Sequence, residues 1–246
     1  MDSPPSVSVV IPVYNNQTTL PVLVARIDAV LSEFSYEIIF VDDGSADNSW
    51  QVIQQLSQTQ NNIMGIKLAQ NMGQHPATIV GMQNAQYPIA ITMDDDLQHM
   101  PEHIPLMLNQ LKENVGLVYA GPEIPLKGKL YAIWVALIKL IIGLSCNALF
   151  LRHMQTFRVV RLTQFPWQEV EIHKRLTVEG VLKKLRPTTT KIKVKYQPRI
   201  GGFSTYTIRK LIAITLDIIF FKAVINPVKS NKHIAEIIGN QRDSQE

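Results

Sequence analysis

The sequence predicts an α/β protein built on a mainly parallel, doubly wound sheet, and three observations carry that expectation. Short apolar runs alternate with stretches of helical period along the first hundred residues. One such run, Ile89 to Met93, ends abruptly in Asp94-Asp95-Asp96. A chain of 246 residues, 46% hydrophobic, is long enough to bury a sizeable core as one domain with an appendage.

Taken in order, Val7-Ser8-Val9-Val10-Ile11-Pro12-Val13 reads as a first strand buried on both faces, ending in the loop Tyr14-Asn15-Asn16-Gln17. A helix is expected from about Thr19 to Phe34. Tyr36 to Val41 forms a second strand that stops at Asp42-Asp43-Gly44-Ser45, and a helix with Trp50, Ile53 and Leu56 on one face follows. Ile63 to Leu68 makes a third strand, Ala77 to Ala85 a helix, and Ile89 to Met93 the strand that delivers the carboxylates. The sequence contains no internal repeat and no low-complexity segment.

Three adjacent carboxylates need a cation. At the carboxyl end of a strand, where open α/β sheets bind ligands, Asp94 and Asp96 could hold Mg2+ or Mn2+ with the amide oxygen of Gln98 as a third hard ligand. Asp95 would face away from them. The alternative is a solvated loop whose acids favour the positive end of a helix beginning near Pro101. His99 and His103 read as neighbours of the metal set rather than members of it.

The net charge of +4 hides an asymmetry: residues 1–151 carry 6 Lys/Arg against 13 Asp/Glu, whereas residues 152–246 carry 18 against 7. Such a basic half suits nucleic acid or an anionic leaflet; no nucleic-acid motif accompanies it, and neighbouring apolar segments favour a membrane surface. The single cysteine, Cys146, excludes an intramolecular disulfide. The start Met1-Asp2-Ser3-Pro4-Pro5 lacks the regions of a signal peptide, so a cytoplasmic location is expected.

In order and spacing, several segments resemble the family 2 glycosyltransferases, and within them the polyprenyl-phosphate sugar transferases related to dolichyl-phosphate mannosyltransferase. The likeness runs from Val7-Ser8-Val9-Val10-Ile11-Pro12-Val13-Tyr14-Asn15 through Val41-Asp42-Asp43-Gly44-Ser45, Asn71-Met72-Gly73, the acidic triplet with Gln98, and Pro101-Glu102. It resumes from Arg199-Ile200-Gly201-Gly202-Phe203-Ser204 to Leu211. The resemblance implies a Rossmann-like GT-A fold with C-terminal amphipathic helices at the membrane interface. A catalytic core is expected over 1–128 and an acceptor and membrane-interface part over 129–228, and the composition of 229–246 reads as a polar, disordered tail.

The same resemblance assigns residues. Pro12, Tyr14, Asn16, Val41 and Asp43 match positions around the nucleotide base and ribose, and Asp95 is placed with them. Asp94, Asp96 and Gln98 match the metal positions of the DxDxQ pattern, where Mg2+ or Mn2+ would bridge the donor diphosphate and assist the leaving group. Asp94, Asp96 and Arg199 are the residues expected to carry the reaction. Donor and acceptor would be a nucleoside-diphosphate sugar and a polyprenyl phosphate, at the cytoplasmic face of a membrane, with a homo-oligomer possible and inversion implied by the family.

The chain departs from the family pattern at three places. Tyr119-Ala120-Gly121-Pro122-Glu123 lacks the usual arginine, Arg152-His153-Met154-Gln155-Thr156 replaces an acidic and Ser-Gly stretch before Phe157-Arg158, and Thr205 replaces a lysine. Lys127, Lys129, Arg199, Arg209 and Lys210 are candidate substitutes for the lost charge. These departures keep two alternatives open: transfer to a glycan or lipid-linked hydroxyl, which needs a general base, and a non-catalytic homologue. Glu123, His153, Glu169 and Glu171 are the available bases.

Two apolar segments remain. Leu130 to Leu151 is long enough to span a bilayer, but a span would separate the basic half from the acidic one; an in-plane or re-entrant helix pair broken near Gly143 fits better, with a buried core helix as the alternative. Leu211 to Val228, interrupted by Asp217 and Lys222, reads as interfacial. Thr188 to Tyr196 reads as a strand with one lysine-bearing face, either phosphate-facing or a guarded edge. Glu169, Glu171, Arg175 and Glu179 are expected on a helix before it.

Overall fold

A computed structural model describes residues 4–123, 154–198 and 233–239, together with Ile133, residues 136–138, Leu140 and Leu144. Eight strands form one sheet: β1 (Val7–Val13), β2 (Tyr36–Asp42), β3 (Ile63–Leu68), β4 (Ile89–Thr92), β5 (Leu117–Pro122), β6 (Arg158–Arg161), β7 (Thr189–Val194) and β8 (Ile234–Ile238). Their spatial order is β7-β5-β6-β4-β1-β2-β3-β8. The pairs β1–β2, β1–β4, β2–β3 and β5–β7 are parallel; β6 runs against β4 and β5, and β8 against β3. The expected mainly parallel sheet is therefore present, with two opposed strands.

Helices cover both faces. Helices α1 (Leu20–Leu31), α2 (Ser49–Thr59) and α4 (Ile104–Gln110) pack with Val9, Ile11, Val13, Ile38 and Phe40 in one buried cluster. On the other face, α3 (Gln74–Asn84) and α5 (Val178–Leu185) pack with Val10, Ile39, Val41, Ile66 and Tyr119. Alternate β1 side chains thus enter opposite clusters, which is why that strand reads as one continuous apolar run.

Several expectations need correction. Helix α3 begins at Gln74, three residues before Ala77, because Gly73 adopts φ 98° and lets the chain turn into the helix. Residues Glu169, Glu171 and Arg175 are not on a long helix: a 3-10 turn spans Trp167–Glu169, and α5 starts only after Thr177, whose hydroxyl accepts the Gly180 N–H at 2.9 Å. Within the tail expected to lack structure, Ile234–Ile238 instead form edge strand β8. Ile238 fits over Gly65, the gap left by that missing side chain being walled by Ile53.

Among the described residues β7 pairs only with β5, and Lys191 and Lys193 on it and Lys195 just after it are exposed, as a guarded edge requires. Among the described residues no helix is long and apolar enough to cross a membrane. Ile133, Leu137, Leu140 and Leu144 are exposed at helical spacing. The rest of the 130–151 segment, all of 211–228, and Arg199, Arg209, Lys210, Lys127 and Lys129 lie outside the described residues.

Candidate active site

The strand order reverses direction at β1, which has β2 on one side and β4 on the other, and ligand crevices form at such points. Pairing of β1 with β4 covers only Val7 to Val10. The Val10 carbonyl faces β4, where it accepts the Met93 N–H at 3.2 Å. Pro12 points the same way two residues later, past the last β4 partner, so a residue without an N–H costs no ladder bond there. The two strands separate at that point, and the loops after them fill the fork.

Those loops interlock. The Asp95 carbonyl accepts Asn16 Nδ2 at 3.0 Å and Thr19 Oγ1 at 2.6 Å, while the Tyr14 N–H faces Asp95 Oδ2 at 3.4 Å. Leu97 holds φ 62°, a strained value for a branched side chain, yet it is buried in the core. This turn folds Asp96 back, so that Oδ1 accepts the Gln98 N–H at 3.1 Å. The Gln98 carbonyl accepts the Gln197 N–H at 3.0 Å, which pins the exit of β7, the residues just before Arg199, to the acidic loop.

Asp94 is fixed from several sides. Gln74 Nε2 donates to Oδ1, and Thr156 Oγ1 donates to Oδ2 at 3.0 Å. The Asp94 N–H donates to His99 Nδ1 at 2.9 Å, so the neutral ring carries its proton on Nε2, which lies 3.7 Å from Oδ2. His99 is buried, stacked on Phe157 at 4.9 Å and edge-on to Tyr196 at 5.0 Å. It therefore shapes the loop from beneath. His103 instead approaches the Lys195 carbonyl at 3.1 Å.

The acids repel one another. Burial first, and then the charges of Asp94 and Asp96, push the half-buried Asp95 up to about 7 despite hydrogen bonds from Asn16 and Tyr14. Burial and the same two charges also raise the Tyr196 phenol. This negative potential is what a divalent cation would neutralise. Among the described residues no group of three or more His, Cys, Asp or Glu side chains forms a cation cage. Two carboxylates and an amide, completed by donor phosphates and water, suit Mg2+ or Mn2+ in the manner usual for nucleotide-bound ions.

The residues expected around the nucleotide divide. Tyr14 is exposed at 53%, and Asn16 sits in the fork. Pro12 and Val41 are buried at the ends of β1 and β2, and Val41 packs in the cluster beneath α3. Asp43 is buried too: its oxygens accept the Met72 and Gly73 N–H groups at 2.6 and 2.8 Å, which ties the entry of α3 to the end of β2. Burial raises its carboxyl, and those two bonds oppose the shift. Asp42 makes the local turn, with Oδ1 accepting the Ser45 N–H at 3.2 Å, while its Oδ2 is buried with no partner among the described residues.

Sequence reasoning missed the other half of the Asp94 environment. Arg158, 1% exposed, donates from Nη1 to Glu179 Oε1 at 2.8 Å and from Nε to Thr92 Oγ1 at 3.1 Å. Thr92 in turn donates to the Thr156 carbonyl at 2.6 Å. His75 Nδ1 lies 3.5 Å from Glu179 Oε2. Burial alone would raise Glu179, but Arg158 and His75 outweigh it and hold the carboxyl below its ordinary value. The one signal was parity: Thr92 and Asp94 leave the strand on the same face.

A mainly parallel sheet with its acidic crevice at the strand-order reversal defines an α/β protein equipped for a cation and an anionic ligand. The description "Glycosyl transferase family 2" matches residues 8–140. The undecaprenyl-phosphate 4-deoxy-4-formamido-L-arabinose transferases of Yersinia enterocolitica and Pectobacterium carotovorum are each 33% identical, over 87% and 89% of this chain. The chain spans 66% and 68% of those relatives' own lengths. Glucosyl-3-phosphoglycerate synthase from Mycobacterium tuberculosis, crystallised with Mn2+, UDP-glucose and phosphoglyceric acid, superposes with a TM-score of 0.63 at 14% identity, covering 87% of this chain and 77% of the synthase. The fold is of the GT-A type. The chain belongs to glycosyl transferase family 2.

Proposed function

We propose that the protein transfers a sugar, with inversion, from a nucleoside-diphosphate sugar to a polyprenyl phosphate at a membrane surface. The observation that carries this reading is the acidic loop at the fork of β1 and β4, with Asp94 held at both oxygens and Asp96, two residues on, accepting the Gln98 N–H through Oδ1. Asp94 and Asp96, with the Gln98 amide, hold Mg2+ or Mn2+, and a bound cation offsets the charge that gathers on the departing diphosphate. Tyr14, Asn16, Asp95 and the Asp42–Asp43 corner bound the space for the nucleotide. Arg199, which follows the segment pinned to Gln98, guides a phosphate group.

The position of the candidate bases bears on the acceptor. A lipid phosphate is already an oxyanion and attacks unaided, whereas a hydroxyl needs a positioned base. Gln83 Nε2, in the last turn of α3, donates to the Trp167 and Val170 carbonyls at 2.8 Å. Glu169 and Glu171 are therefore tied to the end of α3 remote from Gln74 and Asp94, about 14 Å along the helix. Relatives named as undecaprenyl-phosphate sugar transferases favour the same acceptor.

The test is a panel of UDP- and GDP-sugars with Mn2+ or Mg2+, with and without polyprenyl phosphate in detergent. A glycosylated lipid phosphate is expected. Transfer only to sugar hydroxyls, or nucleotide-sugar binding without turnover, would replace this reading with one of the two alternatives.

A further inference from the structure

We propose that Glu179, Arg158 and His75 form a buried brace that fixes the direction of the Asp94 carboxylate, and thereby sets the cation affinity of the acidic loop through Thr156 and Gln74. The inference rests on the reading of Asp94 and Asp96 as the cation site. None of the brace residues touches the cation; they are positioning residues.

The contacts close a ring. Arg158 donates to Thr92, Thr92 to the Thr156 carbonyl, and Thr156 to Asp94 Oδ2. From the other side, Gln74 donates to Asp94 Oδ1, and its chain neighbour His75 returns to Glu179, which holds Arg158. Every hydroxyl in the series gives its one proton toward Asp94, so the arrangement has a single direction. Arg158 is fixed further by the Tyr119 ring, 5.9 Å away.

Stability does not explain a brace of this kind. A buried ion pair is often no more stabilising than well-packed apolar residues in its place, because both charges lose their water. The pair does fix orientation: with one bond on each oxygen, Asp94 keeps a free lone pair on each for a cation, at a set angle. Rotating the carboxylate would break its bonds to Gln74 and Thr156, and the backbones of both are tied in turn to the Arg158–Glu179 pair.

The experiment is Mn2+ titration of the full chain, alone and with UDP or GDP, read from the electron paramagnetic resonance of free Mn2+, alongside the Mn2+-induced shift in melting temperature. Thr156→Val, which disturbs no buried charge, is expected to weaken Mn2+ binding about tenfold or more, as loss of a hydrogen bond to a metal ligand usually does. Thr156→Ser should restore it. Glu179→Gln should weaken binding as well, and the double variant should bind no more weakly than the weaker single, because both act through one link. A merely structural role would lower the melting temperature with and without Mn2+ alike and leave the affinity unchanged. Wild-type affinity in Thr156→Val, or additive losses in the double variant, would overturn the brace. Should Asp94→Asn and Asp96→Asn bind Mn2+ like the wild type, the cation reading itself fails and the brace with it.

Discussion

Gly81 lies on the face of α3 that presses on the sheet, and replacing it with alanine tests how tightly that helix is seated. A Cβ there would fall well inside van der Waals contact distance of Val10 Cγ1 and 3.2 Å from Val41 Cγ2. Val10 cannot retreat, because β1 is paired on both sides. To recover an ordinary separation of about 3.5–4 Å, α3 would have to rise by roughly 1–2 Å. Overpacking of this kind costs about 1–3 kcal/mol, and the upper part of that range applies to a contact against a central strand. Alanine returns about 1 kcal/mol through its better helix propensity. The net expectation is a loss of about 1–2 kcal/mol, read from urea unfolding followed by tryptophan fluorescence. A second consequence is functional: lifting α3 draws Gln74 from Asp94 and the Met72–Gly73 amides from Asp43. Val10→Ala in the Gly81→Ala background should recover part of both losses by removing the clashing methyl. Gly81→Ala as stable as the wild type would refute the reasoning.

Asp96→Ala is expected to lower turnover at least about 100-fold, the effect of losing several kcal/mol of charge stabilisation, with Asp94→Ala alike and Asp95→Ala milder. Full activity in Asp96→Ala would remove the site assignment. The Arg26–Glu102 pair, bidentate at 3.0 and 2.7 Å, holds the Glu102 carboxyl below its ordinary 4.5. Its contribution is present above about 4.5 and fades as pH falls through the lower folded value, so Glu102→Gln should differ from the wild type by no more than about 0.5 kcal/mol at pH 7, and the difference should vanish as acid protonates the folded carboxyl. The protein should sediment with anionic vesicles and be released by detergent more readily than by salt; full solubility beside such vesicles would count against the membrane reading.

The core of the fold was legible because its strands are apolar on both faces and end in turn-forming polar residues: asparagines after Val13, acids after Val41 and Met93. The opposed strands were not. Arg158-Val159-Val160-Arg161 is four residues long with a charge at each end, and the sequence does not say that the first arginine is buried against Glu179 while the second reaches the Leu111 and Lys112 carbonyls. Among the site residues, Asp94 and Asp96 could be read from their place after β4. The anchoring contacts of Asp43 could not: either acid of the pair can close a turn, and only the return of Met72 and Gly73 to the end of β2 selects Asp43 as the anchor. Glu179 carried no local signal, since its partners stand 21 and 104 residues away.

Strand β8 also bears on how the protein is handled. Removing the chain beyond residue 232 would delete none of the residues in the acidic fork, yet it would bare the backbone edge of Ile63–Leu68, a run with few charges. Such an uncovered edge is a template for intermolecular pairing, so shortened versions should aggregate at the bench even though their catalytic sequence is intact. Gly239 sets the limit: at φ 74° it passes so close to the Ile63 carbonyl that any side chain would collide. Affinity tags and fusions are therefore best attached beyond it, and a loss of soluble yield on trimming to 232 would trace to the sheet margin rather than to the chemistry.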